Sequence, residues 1–79
     1  MPRYYFDIHD GELQRDGEGL ECENVEAARE KVMASLSDVA ELITSGYGDN
    51  QAVTVTVRDE EGCRVYAGTL TFTGTRLDR

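Results

Sequence analysis

The sequence predicts a single α+β domain: one long helix packed on one face of a four-stranded, mainly antiparallel sheet, in the order ββαββ. Three observations carry this. Apolar and polar side chains alternate through Tyr4-Tyr5-Phe6-Asp7-Ile8-His9 and again from Val53 to Arg58, which is the period of a half-buried strand. Between them Val25, Ala28, Val32, Leu36, Val39 and Ile43 recur at spacings of three and four, the period of one helix face. Glycine-containing turns, Asp10-Gly11 and Asp59-Glu60-Glu61-Gly62, each stand between two strand-like runs.

Each element follows in turn. In the first strand Tyr4, Phe6 and Ile8 form the inward set, with Tyr5, Asp7 and His9 outward. Asp10-Gly11 suits the positive φ angles of a type I′ turn, which sends the chain back through Glu12-Leu13-Gln14-Arg15. Asp16-Gly17-Glu18-Gly19 reads as a second turn, because two glycines so close weaken any regular element. Asn24 is the expected N-cap, its side chain accepting from a free amide of the first helical turn. The helix stripe is flanked by Met33, Ala40 and Leu42, while Glu26, Glu30, Ser37, Asp38 and Glu41 fall largely on the other side. Gly46 supplies a stop and Gly48-Asp49-Asn50 continues the loop.

Val53, Val55 and Val57 form the inward set of the third strand. Asp59-Glu60-Glu61-Gly62 fits a type I turn closed by a left-handed glycine. In the last strand, Arg64 to Thr73, Tyr66, Gly68, Leu70 and Phe72 are expected inward and Val65, Ala67, Thr69 and Thr71 outward. An inward set begun by Val65 and Ala67 would stop at Thr69 unless a bulge intervened. The bulk of Tyr4, Phe6 and Ile8 places the first strand centrally, giving the order 2-1-3-4. A helix of about 20 residues is roughly 30 Å long and covers one face of such a sheet. The other face is left without a cover.

At 79 residues the chain has room for one core and one domain, spanning residues 1–79. Sixteen Asp and Glu against eight Lys and Arg give a net charge of −8, which opposes binding to nucleic acid or an anionic membrane surface. The start, Met1-Pro2-Arg3-Tyr4-Tyr5, lacks the basic-then-apolar run of a signal peptide. Two cysteines, Cys22 and Cys63, show no metal or redox spacing. A cytoplasmic protein with reduced thiols is expected.

The acidic opening stretch invites a test for metal. Counted from Asp10, carboxylates fall at positions one, three, seven, nine and twelve: Asp10, Glu12, Asp16, Glu18 and Glu21. A calcium loop needs glycine at position six, and that position is Arg15. Solvated turns are the better reading, and no metal or other cofactor is expected. His9 shares the outer face with Asp7, but no nucleophile or phosphate-loop motif accompanies them. Acids beside Cys22 disfavour its thiolate. The chain is therefore expected not to be an enzyme. The uncovered face supplies interface candidates instead: Arg3, Tyr5, Asp7, His9, Arg58, Val65 and Ala67. Across a two-fold axis, Arg3 or Arg58 would meet Asp7 of a second copy.

Met1-Pro2-Arg3-Tyr4-Tyr5-Phe6-Asp7-Ile8, then Asp10-Gly11, Asp16, Gly19, Glu21 and Glu26-Ala27-Ala28-Arg29 resemble a family of short alphaproteobacterial proteins carrying a domain of unknown function. The resemblance runs from Pro2 through the Asp59–Gly62 turn and is densest in the first thirty residues. It implies a bacterial, stand-alone domain and assigns no activity to any position. Gly68 departs from what a packed strand would carry. A hairpin followed by an acidic helix is also similar in architecture to HicB-type antitoxins. Two functions follow as expectations: a regulatory or interaction module that forms a homodimer, and, as the alternative, an acidic inhibitor of a basic protein partner.

Overall fold

The computed structural model describes residues 1–43 and 49–77, with the backbone alone for 41–43. It is an α+β fold. The elements are β1 (Arg3–His9), β2 (Leu13–Gln14), β3 (Leu20–Glu21), α1 (Val25–Ile43), β4 (Asn50–Arg58) and β5 (Arg64–Thr73). One antiparallel sheet runs β2-β1-β4-β5, with β3 also paired to β1. The expected strand order is therefore observed, with a short fifth strand added. Gly46 and Gly48, and the side chains of Glu41, Leu42 and Ile43, lie outside the described residues.

The additional strand changes how the first edge is built. β2 pairs Ile8 with Gln14, and β3 pairs Tyr4 with Leu20. Five residues, Arg15–Gly19, thus stand opposite three, Tyr5–Asp7, and must loop away from the ladder. Cys22 extends the second stretch by donating its amide to the Pro2 carbonyl at 3.0 Å. The β1–β2 connection also differs from the two-residue turn expected: His9 pairs with Leu13, leaving the three residues Asp10–Glu12 between them, with Gly11 at φ 108°.

Asn24 caps α1 as its chemistry requires. Its Oδ1 accepts from the Ala27 amide at 2.8 Å, and its carbonyl accepts from Ala28 at 3.1 Å. The helix lays Ala28 and Val32 on the sheet beside Tyr4, Cys22, Val55 and Val57, which together form the buried cluster. Leu36, Phe6, Ile8 and Tyr66 pack around it. Each fully buried valine contributes roughly 1.5–3 kcal/mol relative to exposure. Val25, at the first helical position, and Met33 are exposed, so the apolar stripe is narrower than its sequence suggests.

The β4–β5 turn forms as expected, with the Gly62 amide donating to the Asp59 carbonyl at 3.0 Å. Asp59 Oδ1 accepts from Glu61 and Cys63. A bulge follows between Val57 and Arg58, so that Val65 is skipped in the pairing. Val65 is half-buried and touches the buried cluster. Phe72, expected inward, is 39% exposed, because β5 is the sheet's edge strand.

Gly68 explains itself by what lies over it. A Cβ built there would fall 2.8 Å from Val32 Cγ1 and 3.4 Å from Leu36 Cδ1, so the helix sits on the strand at the one position without a side chain. Ordinarily Gly→Ala in a strand interior is favourable, because it removes unfolded-state entropy. Here overpacking wins, and Gly68→Ala is expected to destabilise by about 1–3 kcal/mol in urea titration. Val32→Ala should partly relieve it, giving a double-mutant cost smaller than the sum of the single costs. Strict additivity would show that the helix does not rest on Gly68.

Candidate functional site

The concentration of charge in the fold lies where β1, β4 and the 15–19 loop meet, and it starts from register. Tyr5 pairs with Arg58 and Asp7 with Thr56, so Arg58 and Asp7 are diagonal neighbours on one face, within reach of a long side chain. Arg58 uses that reach. Its Nε donates to Asp7 Oδ2 at 2.7 Å and its Nη2 to Asp7 Oδ1 at 3.1 Å, a bidentate pair. The same Nη2 donates to the Asp16 carbonyl at 2.9 Å. The Arg58 guanidinium also lies 5.0 Å from the centre of the Tyr5 ring, in range of a cation–π contact.

The loop is bound from both sides. The Asp16 amide donates to Asp7 Oδ1 at 3.0 Å. The Asp16 carboxylate then turns back onto backbone: Oδ2 accepts from Phe6 at 3.1 Å, and Oδ1 from Glu18 at 3.0 Å and Gly19 at 3.1 Å. The Phe6 amide faces the gap between β2 and β3, so Asp16 supplies the acceptor that a paired strand would have supplied. Gly19, at φ 73°, closes the loop where no Cβ fits: one would lie 2.8 Å from Arg3 Cγ and 2.9 Å from the Tyr4 carbonyl. Arg3 Nη1 donates to the Glu18 carbonyl at 2.8 Å.

This geometry sets the electrostatics. The Arg58 hydrogen bond holds the Asp7 carboxyl below its ordinary 3.8, against the upward push of burial. For Asp16 burial is the largest influence and pushes upward, but the amides of Glu18, Gly19 and Phe6 together outweigh it, and its pKa also falls. Asp7 in turn raises the pKa of Arg58.

The sequence candidates are sorted accordingly. Asp7, Arg58 and Arg3 find their partners within the chain; Asp7 is only 8% exposed. The expected meeting of Arg58 with a second copy's Asp7 is replaced by the intrachain pair, since adjacent strands already hold the two charges in place. Tyr5 is half-buried beneath Arg58, Val65 is half-buried at the bulge, and His9 and Ala67 are exposed. Asp7 spends both oxygens on Arg58 and the Asp16 amide, so it does not serve His9. Asp16, central to the network, shows in the sequence as a turn residue and as position seven of the failed calcium loop; its spacing to Phe6 carries no signal until the five-against-three register is known. Among the described residues, no three His, Cys, Asp or Glu side chains are grouped to hold a metal. No described helix is long and apolar enough to cross a membrane. Cys22 is buried and Cys63 exposed, both as free thiols.

Fold and site together define a small α+β protein whose main charged cluster is closed upon itself. The chain belongs to the family described as "Domain of unknown function (DUF6894)", whose model matches residues 3–71. That span passes the Asp59–Gly62 turn and includes the whole Asp7–Arg58–Asp16 network. No curated protein and no solved structure matches the chain.

The sign of the pH dependence follows from the lowered carboxyls. A depressed folded-state pKa contributes stability that is present above the unfolded value and lost as pH falls through the folded one. The wild type is expected to hold its stability down to about pH 4–5 and lose it progressively below. Asp7→Asn should cost about 3 kcal/mol at neutral pH, the lower end for removing one partner of a buried pair, since Arg58 keeps some solvent. Its acid limb, followed by urea unfolding at several pH values, should be flatter. An unchanged acid limb would count against the network as a source of stability.

Proposed function

We propose that this chain is a small acidic bacterial protein of the cytoplasm, a non-catalytic interaction or regulatory module that self-associates as a homodimer. The observation that carries the reading is the uneven covering of the sheet. On the face away from α1, the β1 end is lapped by the 15–19 loop, with Asp16 bonded to Asp7 and Arg58. Towards β5 the same face carries exposed Ala52, Ala67, Thr69 and Thr71. Interaction surfaces are found where a stable fold leaves flat, weakly charged surface uncovered. The closed state of the charged cluster argues in the same direction, because each carboxylate oxygen of Asp7 and Asp16 is already committed to a donor within the chain.

Sedimentation equilibrium tests this. A concentration-dependent dimer is expected at high micromolar protein. Because both copies carry −8, dimerisation should strengthen as salt is raised from low to moderate and screens their repulsion. A monomer under all these conditions would remove self-association from the account. Tight capture of a basic protein, weakened by salt, would favour the inhibitor function instead.

A further inference from the structure

The two edges of the sheet are built on opposite plans. Along the outer side of β1, two strands of two residues each are split by the 15–19 loop; Glu12 and Glu18 flank them and Glu21 lies within the second. Short, interrupted and charged edges resist pairing with other chains. β5 has none of these protections beyond its first residues. It is ten residues long, RVYAGTLTFT, with no proline, no acid and one charge, Arg64, at its start. The nearby Glu60 is directed elsewhere, its Oε1 accepting from the Arg3 amide at 3.3 Å.

The phase of the ladder shows which groups β5 offers. In antiparallel pairs, opposite residues alternate between exchanging both backbone bonds and exchanging none. The Gly74 amide donates to the Asp49 carbonyl at 2.6 Å, and these two continue the register that pairs Asn50 with Thr73. The hydrogen-bonded pairs are then Gln51–Phe72, Val53–Leu70, Val55–Gly68 and Val57–Tyr66. The intervening residues, Ala67, Thr69, Thr71 and Thr73, carry their amides and carbonyls on the open edge.

We propose that β5 pairs antiparallel with β5 of a second copy, about a two-fold axis at Leu70, joining two sheets into one. This rests on the self-association reading and names its surface. An axis there engages all four outward residues, Thr69 with Thr71 and Ala67 with Thr73 of the partner. On the helix side Leu70 meets its own copy, and the exposed Phe72 comes opposite the partner's Gly68, the position without a side chain, beside half-buried Leu36. The surface is self-complementary, as a two-fold interface requires. It also brings two acidic chains together along a strand that bears no acid.

The test uses the full chain. In Thr71→Pro the ring removes an amide that points away from β4, so the ladder within the chain keeps its bonds. Its dimer dissociation constant should rise at least ten-fold, with circular dichroism unchanged. In a Cys63→Ser background, Leu70→Cys should give a disulfide-linked dimer on mild oxidation, and Thr56→Cys on the open face should not. A wild-type monomer would defeat the self-association reading itself. A wild-type dimer that tolerates Thr71→Pro, or cross-links at position 56 and not 70, would leave that reading standing and overturn the edge assignment. Should Thr71→Pro unfold, the cysteine pair decides alone.

Discussion

Arg58 reaches Asp7 diagonally across the β1–β4 ladder, and the loop that breaks the sheet's outer edge is bound to both. Without that pair, the Asp16 amide and carbonyl would lose their partners over the Tyr5–Asp7 stretch. Asp16 could then no longer hold its carboxylate against Phe6, and β1 would carry an unpaired amide between two strands too short to persist alone. Gly19 admits the loop so close to Arg3 and Tyr5, but the ion pair keeps it there. The order of dependence runs from register to ion pair to loop to edge.

A buried ion pair is weak evidence for stability, because desolvation offsets much of the attraction. An apolar pair of similar volume in place of Asp7 and Arg58 would avoid that desolvation cost. It would leave the loop's backbone groups without partners, and each buried unsatisfied group costs about 1–3 kcal/mol. The pair is therefore best understood as a device for specificity. It selects one path for residues 15–19, in a fold where a hydrophobic cluster alone would leave that path undetermined.

Legibility followed the range of the interactions. The helix, its Asn24 cap, the Asp59–Gly62 turn and the valines of β4 depend on neighbours a few residues apart, and period and turn chemistry reveal them. The strand order followed from the bulk of Tyr4, Phe6 and Ile8. Two features escaped for one reason. The short β3 and the role of Asp16 both depend on how Arg15–Gly19 lies against Tyr5–Asp7, a long-range register that no local pattern encodes. Gly68 was visible as an anomaly but not as a contact, since its meaning lies in Val32, thirty-six positions earlier. The Asp7–Arg58 pair is half legible: strand period puts both charges on the right face, but only the β1–β4 register makes each the other's partner.

The same network bears on where a partner can dock. By drawing the 15–19 loop over the face, it closes the β1 corner and commits three of the charged candidates, Arg3, Asp7 and Arg58. What remains uncovered shifts across the sheet towards β5, where threonine and alanine replace charge. Acids crowd the loops and the first edge, where they discourage pairing with other chains. The long edge strand is kept free of them. A net charge of −8 would oppose the approach of two copies if it were spread evenly. No acid lies within β5 itself, so the strand that offers its outer backbone to a partner brings no carboxylate of its own into the contact.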